Sequence, residues 1–356
     1  VQVSYKKQFL FGFILVMVIL SSIEISARVF DYYNPNCRFI ESDVYEGLSF
    51  DIKRQLCDDH YQLTWNNDPL YLIPNQHYPT INVNSDGFRG NELQEEPNYR
   101  IFVIGGSTTF GVGTMDNESI PSFLQQIINK NFGNDEIEVI NAGIPKAYSY
   151  TENYLIKNKI LDFEPDMLII YDGSNDVGTN YKNFGKSGDP VLSDIIIREM
   201  YRLDISTPKV LLKLYFNYKH DNIETIPFNS ENIEKKVTFW RDTSESICNL
   251  GETYDFKTIV ILQPLLGTGN KILTDEEEGY AIHYDVKTRN KFYELYANEL
   301  TTLESCSKTI DLRDIFDQNL ETIYYDAGHL GKEGNKIVAQ QIYDEILPIL
   351  TKHIQN

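Results

Sequence analysis

From Arg100 onward, short apolar runs alternate with amphipathic stretches, and no other feature of the chain constrains its fold as strongly. The runs Ile101–Ile104, Ile137–Ile140, Met167–Tyr171, Thr258–Leu262 and Thr309–Leu312 read as buried strands. Helical periodicity lies between and after them, near 119–132, 149–161, 231–250, 287–305 and 332–349. Strand and helix in strict alternation give a parallel sheet with helices on both faces, because each parallel connection must cross over the sheet. The pattern therefore predicts one doubly wound α/β domain over residues 99–356. Ligands of such sheets bind outside the carboxyl ends of the strands, so the residues just after each strand are where chemistry is expected.

Residues 1–98 follow other rules. Phe9–Ile23 is an apolar run of about 15 residues, between the length of a secretory core and that of a full membrane span. Lys6 and Lys7 precede it, and Glu24 and Asp31 follow, so the positive-inside bias places the N-terminal side in the cytoplasm and everything after about residue 30 outside. Residues 1–29 are expected to be a membrane anchor or signal segment. The anchor is favoured, since Ser26-Ala27 is only a weak cleavage site. Residues 30–98 show turn signals such as Asp68-Pro69 and no helical periodicity, which predicts an irregular, β-containing cap ending in a tight turn at Asp86-Gly87. Residues 190–228, rich in Leu, Ile and Tyr, interrupt the alternation; they are read either as a helical lid or wall or as a surface packing helix.

Three strand ends carry chemistry. The first leads into Gly105-Gly106-Ser107, with glycines that let the backbone turn before a serine facing a cleft; alone, this is also an ordinary loop or a phosphate cradle. The second leads into Asn141-Ala142-Gly143, and the third into Gly173-Ser174-Asn175-Asp176. The N–H groups of Ser107 and Gly143 and the carboxamide of Asn175 could converge as oxyanion donors. Near the C-terminus, Asp326-Ala-Gly-His329 spaces a carboxylate to orient an imidazole, leaving the other ring nitrogen to act as a base toward a serine. Gln263 and Pro264, after the fourth strand, are candidate substrate contacts, or part of a plain glycine-rich connection.

These blocks, in this order and spacing, resemble the SGNH or GDSL hydrolase superfamily over about residues 99–350. The resemblance implies a flavodoxin-like three-layer fold, Ser107 as nucleophile, Gly143 and Asn175 as oxyanion donors, and Asp326 orienting His329. One departure is that Gly106 stands where the eponymous motif has Asp, a change read as touching no catalytic role. Asn84–Gly90 resembles a lead-in of anchored members. The expected activity is hydrolysis of carboxylic esters, of acylated glycans or lipids, without metal or organic cofactor. An O-acyltransferase and a non-catalytic surface binding module are the alternatives.

Charge and cysteines narrow the partners. A net charge of -20, from 32 basic against 52 acidic residues, repels phosphate backbones, and no basic stripe is present, which argues against nucleic acid. Cys37, Cys57, Cys248 and Cys306 are an even number without metal-site spacing. In an exported chain, pairings Cys37–Cys57 and Cys248–Cys306 keep each bridge within one region; four buried thiols are the other reading.

Overall fold

The structure, a computed structural model, describes residues 4–35, 37–133, 136–178, 196, 199–201, 205–220 and 228–354. In chain order the elements are α1 (Tyr5–Tyr33), α2 (Phe50–Gln62), β1 (Trp65–Asn67), β2 (Leu70–Leu72), β3 (Gln76–His77), β4 (Asn82–Val83), β5 (Tyr99–Gly105), α3 (Ser107–Phe110), α4 (Ile120–Phe132), β6 (Ile137–Gly143) and α5 (Ser149–Asn158). They continue as β7 (Met167–Asp172), α6 (Ser174–Gly178), α7 (Ser206–His220), α8 (Ile233–Tyr254), β8 (Lys257–Leu262), α9 (Asp275–His283), α10 (Val286–Leu300), β9 (Lys308–Asp311) and α11 (Lys332–Ile354). The chain divides into two compact units, residues 1–38 with 190–224, and residues 39–189 with 225–356. Much of the expected insertion at 190–228 lies outside the described residues.

In the larger unit, five parallel strands stand in the order β6-β5-β7-β8-β9, a doubly wound sheet as the alternation predicts and in the flavodoxin-like arrangement that the family resemblance implies. Both faces are covered because successive side chains of a strand point oppositely. Phe102 and Ile104 of β5 pack with Ile156, Trp240 and Tyr296 from α5, α8 and α10. Ile101 and Val103 pack with Leu124 and Ile342 from α4 and α11 on the other side. Fully burying one such aliphatic side chain contributes about 1.5–3 kcal/mol. Helix α4 starts where expected: Ser119 accepts from the Ser122 N–H, and a proline occupies the first turn. The switch point, where chain order reverses, lies between β5 and its neighbours β6 and β7.

The cap is partly β, as expected: β1 pairs with β2 and β3 with β4, both antiparallel. It also contains a helix the periodicity did not show. Helix α2 buries only Leu56, Cys57 and Asp59, so it has no apolar stripe to read. Asp59 is instead fixed by accepting from the N–H (2.8 Å) and hydroxyl (2.7 Å) of Thr80. Asn141-Ala142-Gly143 forms the last three residues of β6, at the carboxyl end of the second strand of the sheet.

The smaller unit contains α1, which is long and apolar enough to cross a membrane, with a hydropathy of 2.3 in its most apolar stretch. Where the apolar run ends, the Glu24 carboxylate accepts from the N–H groups of Ser206 (2.9 Å) and Thr207 (3.0 Å), the first residues of α7. Two turns beyond Glu24 on α1, Asp31 pairs with Lys209 in the first turn of α7 at 2.5 Å. Carboxylate at a helix N-terminus is the favourable sign of charge there.

Cys248 of α8 and Cys306 form a disulfide with Cα atoms 4.7 Å apart. Cys37 and Cys57 are also disulfide-bonded, and no described cysteine is free.

Candidate active site

Ser107 is the first residue of α3, a single helical turn that opens directly after β5. The tight passage from strand to helix needs small residues. A Cβ on Gly105 would lie 2.4 Å from the Tyr171 carbonyl oxygen, a backbone atom that cannot move aside. A Cβ on Gly106 would lie 2.3 Å from Asn175 Nδ2. A side chain at Gly106 would therefore collide with the candidate oxyanion donor.

His329 reaches Ser107 from the segment before α11. Its Nε2 lies 2.7 Å from Ser107 Oγ, and its Nδ1 lies 2.7 Å from Asp326 Oδ2. The other Asp326 oxygen accepts from the N–H groups of Gly328 (2.9 Å) and His329 (2.8 Å), so the carboxylate both orients the ring and closes the turn that carries it. With Asp326 accepting at Nδ1, the neutral imidazole carries its proton there and presents a lone pair to Ser107. Burial disfavours the Asp326 charge, but the adjacent imidazole and three hydrogen bonds outweigh it and bring the carboxyl down to about 2. Burial likewise disfavours imidazolium, yet the Asp326 charge prevails and raises His329 above its usual value.

The His329 ring has a second support. Tyr325 stacks on it with centroids 5.5 Å apart and planes 9° from parallel. The Tyr325 hydroxyl donates to the Val112 carbonyl at 2.7 Å, in the loop just after α3. Upstream, the buried Glu277 of α9 accepts from the N–H groups of Ile323 (2.9 Å) and Tyr324 (3.2 Å) and pairs with Lys271 at 2.6 Å. The segment carrying Asp326 and His329 therefore hangs on a buried ion pair.

Asn175 and Asp176 arise from α6, the turn after β7. Asn175 Nδ2 donates to the Ala147 carbonyl at 2.6 Å. Asp176 accepts from the hydroxyl (2.5 Å) and N–H (3.1 Å) of Ser149, which opens α5. Gly143 behaves differently from expectation. Its N–H donates to the side chain of Asn141 at 3.0 Å, and a Cβ on it would lie 2.2 Å from Phe110 N. Its amide is already engaged, and its role on this geometry is to let α3 pack directly on β6.

A cavity of about 150 Å3 opens over Ser107, lined by Thr108, Ser174, Asn175, Gln263, Tyr284 and the Asp326–His329 turn. Gly143 and Pro264 are not among its lining residues. Gln263 is buried, with its Nε2 lacking a hydrogen-bond partner, and its Oε1 lies 3.5 Å from the Thr108 hydroxyl. Tyr284, Thr108 and Ser174 carried no motif signal; Ser174 and Thr108 are recoverable only as neighbours of Asn175 and Ser107. Among the described residues no group of His, Cys, Asp and Glu could hold a metal ion.

A flavodoxin-like α/β domain with a hydrogen-bonded Ser–His–Asp chain at its switch point is the class to which fold and site assign this protein. No family model matches the chain, and no curated protein matches it. Solved structures with partial likeness include an acetyl xylan esterase, AlAXEase, at 15% identity, covering 69% of this chain and 99% of that one with a TM-score of 0.43. An acetylxylan esterase from Geobacillus stearothermophilus shows 14% identity over 71% of this chain and 96% of that one, with a TM-score of 0.41. A GDSL-like lipase, so described, from Parabacteroides merdae shows 12% identity over 71% and 98%, with a TM-score of 0.40. No residue's role is carried over from them.

Proposed function

We propose that this chain is a serine ester hydrolase of the SGNH/GDSL superfamily, working through an acyl-enzyme on Ser107. The observation that carries the reading is the 2.7 Å approach of His329 Nε2 to Ser107 Oγ, with Asp326 on the other ring nitrogen. His329 takes the hydroxyl proton as Ser107 Oγ bonds to the ester carbonyl carbon. It then gives that proton to the departing alcohol as the carbonyl carbon–oxygen bond breaks. Water, deprotonated by the same imidazole, releases the acid and restores Ser107. The oxyanion donors in this reading are the Ser107 N–H and the Asn175 carboxamide. A carboxamide carries two N–H bonds, so its anchor on Ala147 is compatible with donation to an oxyanion. Gly143 contributes packing rather than a donor.

The small cavity over Ser107, about 150 Å3, favours a short acyl group over a fatty chain. An acylated glycan fits this better than a long-chain lipid ester. The apolar helix α1, the charges flanking its apolar run and the disulfides support a membrane-anchored enzyme with its site outside the cytoplasm. An O-acyltransferase, in which a sugar hydroxyl replaces water, uses the same residues and is separated by acceptor-dependent product. A non-catalytic binding module would have no need of the hydrogen-bonded Ser–His–Asp chain.

The test is labelling of the full chain by a fluorophosphonate, with turnover of p-nitrophenyl esters from acetyl to octanoyl. Labelling at Ser107 that Ser107→Ala abolishes, with acetyl turned over fastest, is expected. Folded protein that neither labels nor cleaves any ester would refute the hydrolase.

A further inference from the structure

The Asn84–Gly90 segment has no part in the chemistry above, yet it is tightly built and aims one side chain at the nucleophile's helix. Asn84 Oδ1 accepts from the N–H groups of Asp86 (3.1 Å) and Phe88 (2.9 Å), and Gly87 takes a φ of 76°, closing the turn. Phe88 is buried edge-on against Phe102 (5.4 Å) and Phe163 (5.5 Å). The Arg89 N–H donates to the Asn141 carbonyl at 3.1 Å, which bridges the segment to β6.

With its backbone so held, the Arg89 side chain lies buried, 4% exposed. Its Nη1 donates to the carbonyls of Phe110 (2.6 Å) and Gly111 (2.7 Å), its Nη2 to that of Thr114 (2.6 Å), and its Nε to Asp116 Oδ1 (2.9 Å). The guanidinium also lies 4.6 Å from the centroid of the Phe110 ring. Phe110 closes the one-turn helix and Gly111 caps it, so no further helical turn donates to their carbonyls; the Asn141 carboxamide reaches the first and the N–H and hydroxyl of Thr114 the second, beside Arg89. A single turn is not self-supporting, because nucleating a helix costs more than one turn returns. The planar fork of arginine meets four acceptors at once; a lysine ammonium on a flexible stem does not reproduce that geometry.

We propose that Arg89 is a positioning residue for the reaction, fixing the helix that Ser107 opens and the loop against which the His329 support rests. The inference rests on the serine hydrolase reading. Between Gly111 and Thr114, both gripped by Arg89, lies Val112, whose carbonyl receives the Tyr325 hydroxyl, and Tyr325 stacks on His329. In the same loop the Gly113 carbonyl receives the Tyr45 hydroxyl at 2.9 Å. One guanidinium thereby holds the backbone behind both reacting groups. Misplacing such groups by about 1 Å can cost 10²-fold in rate.

The experiment compares R89K and D116N with the unsubstituted full chain, measuring kcat and KM on p-nitrophenyl acetate, the fluorophosphonate labelling rate at Ser107, and the melting temperature. For folded R89K, kcat and labelling rate should each fall by about 10- to 100-fold with KM within about threefold, the pattern of misplaced reacting groups. D116N, which keeps the fork but removes its counter-charge, should show a smaller loss in the same two quantities. Folded R89K with kcat and labelling within twofold of the unsubstituted chain overturns the proposal. So does a loss that only follows the folded fraction, with turnover per labelled site unchanged. If R89K does not fold, D116N decides by the same criteria. Absence of labelling in the unsubstituted chain is a different failure: it removes the hydrolase reading and this proposal with it.

Discussion

Gly106→Ala probes the close packing between the turn that carries Ser107 and the side chain of Asn175. The backbone at Gly106 has φ -85°, which any residue accepts, so the added methyl group introduces no left-handed strain. Its Cβ would stand 2.3 Å from Asn175 Nδ2, where ordinary contact begins at 3.4 Å. Nδ2 must retreat by roughly 1 Å, and its 2.6 Å bond to the Ala147 carbonyl then stretches beyond hydrogen-bonding distance. Breaking one such bond costs about 0.5–1.5 kcal/mol of stability, a small part of a domain's total. Activity should suffer far more, because the displaced group is the proposed oxyanion donor, and losing one donor costs about 10² to 10³ in kcat. The assay is a double-mutant cycle on p-nitrophenyl acetate turnover, with circular dichroism to confirm folding. Gly106→Ala and Asn175→Ala should each fall by that factor with KM little changed. The double variant should fall no further than about threefold below Asn175→Ala, since the atom struck is gone. Wild-type kcat in Gly106→Ala, or losses that multiply in the double variant, would refute the reasoning.

Two further outcomes follow from the geometry. Only neutral imidazole can accept the Ser107 proton, and the Asp326 charge raises His329 above 6.5, so labelling and kcat/KM should rise with pH through a midpoint above 6.5; Asp326→Asn removes that charge and should move the labelling midpoint downward, whereas an unmoved midpoint would show that another group titrates. The Cys248–Cys306 bridge closes a 58-residue interval, which the chain-entropy relation values at about 4 kcal/mol, so the double Cys→Ser variant should unfold at lower denaturant by that amount, and an unchanged midpoint would contradict it.

What the sequence made legible was whatever apolar pattern or motif spacing encodes. The five strands, the helices that cover them and the Asp326–His329 turn all fall in that class. Helices α2 and α9 were not legible, for a shared reason: α9 buries only Glu277, and α2 buries Asp59 beside just Leu56 and Cys57, so neither presents a repeating apolar stripe. Periodicity has nothing to register there. Gly143 was legible only in part. Glycine at a strand end signals close backbone approach without saying what approaches, and here the Phe110 amide lies against it. The Arg89 contacts were illegible because three of their four acceptors are main-chain carbonyls, which every sequence has.

The pairing of Asn175 with Asp176 shows how the switch point is tied together. Adjacent in sequence, they reach across to the same loop from β6: Asn175 to the Ala147 carbonyl, Asp176 to Ser149. Asp176 is fully buried near Asp172 and Glu152, also buried, and burial raises all three carboxyls; neighbouring carboxylate charge adds to the rise at Glu152 and Asp172, while hydrogen bonds from Asp172 and Ser149 oppose it at Asp176. Such surroundings favour the neutral acid, which can donate where a carboxylate only accepts. The hydrogen bonds between Asp176 and Ser149 tie the loop carrying Ala147 to the turn after β7. Ser107 stands between these ends because β5 separates β6 from β7 in the sheet. Its neighbours on either side are thus joined, Asn175 from one and the Ala147 loop from the other, and Ser107 and His329 line the same cavity.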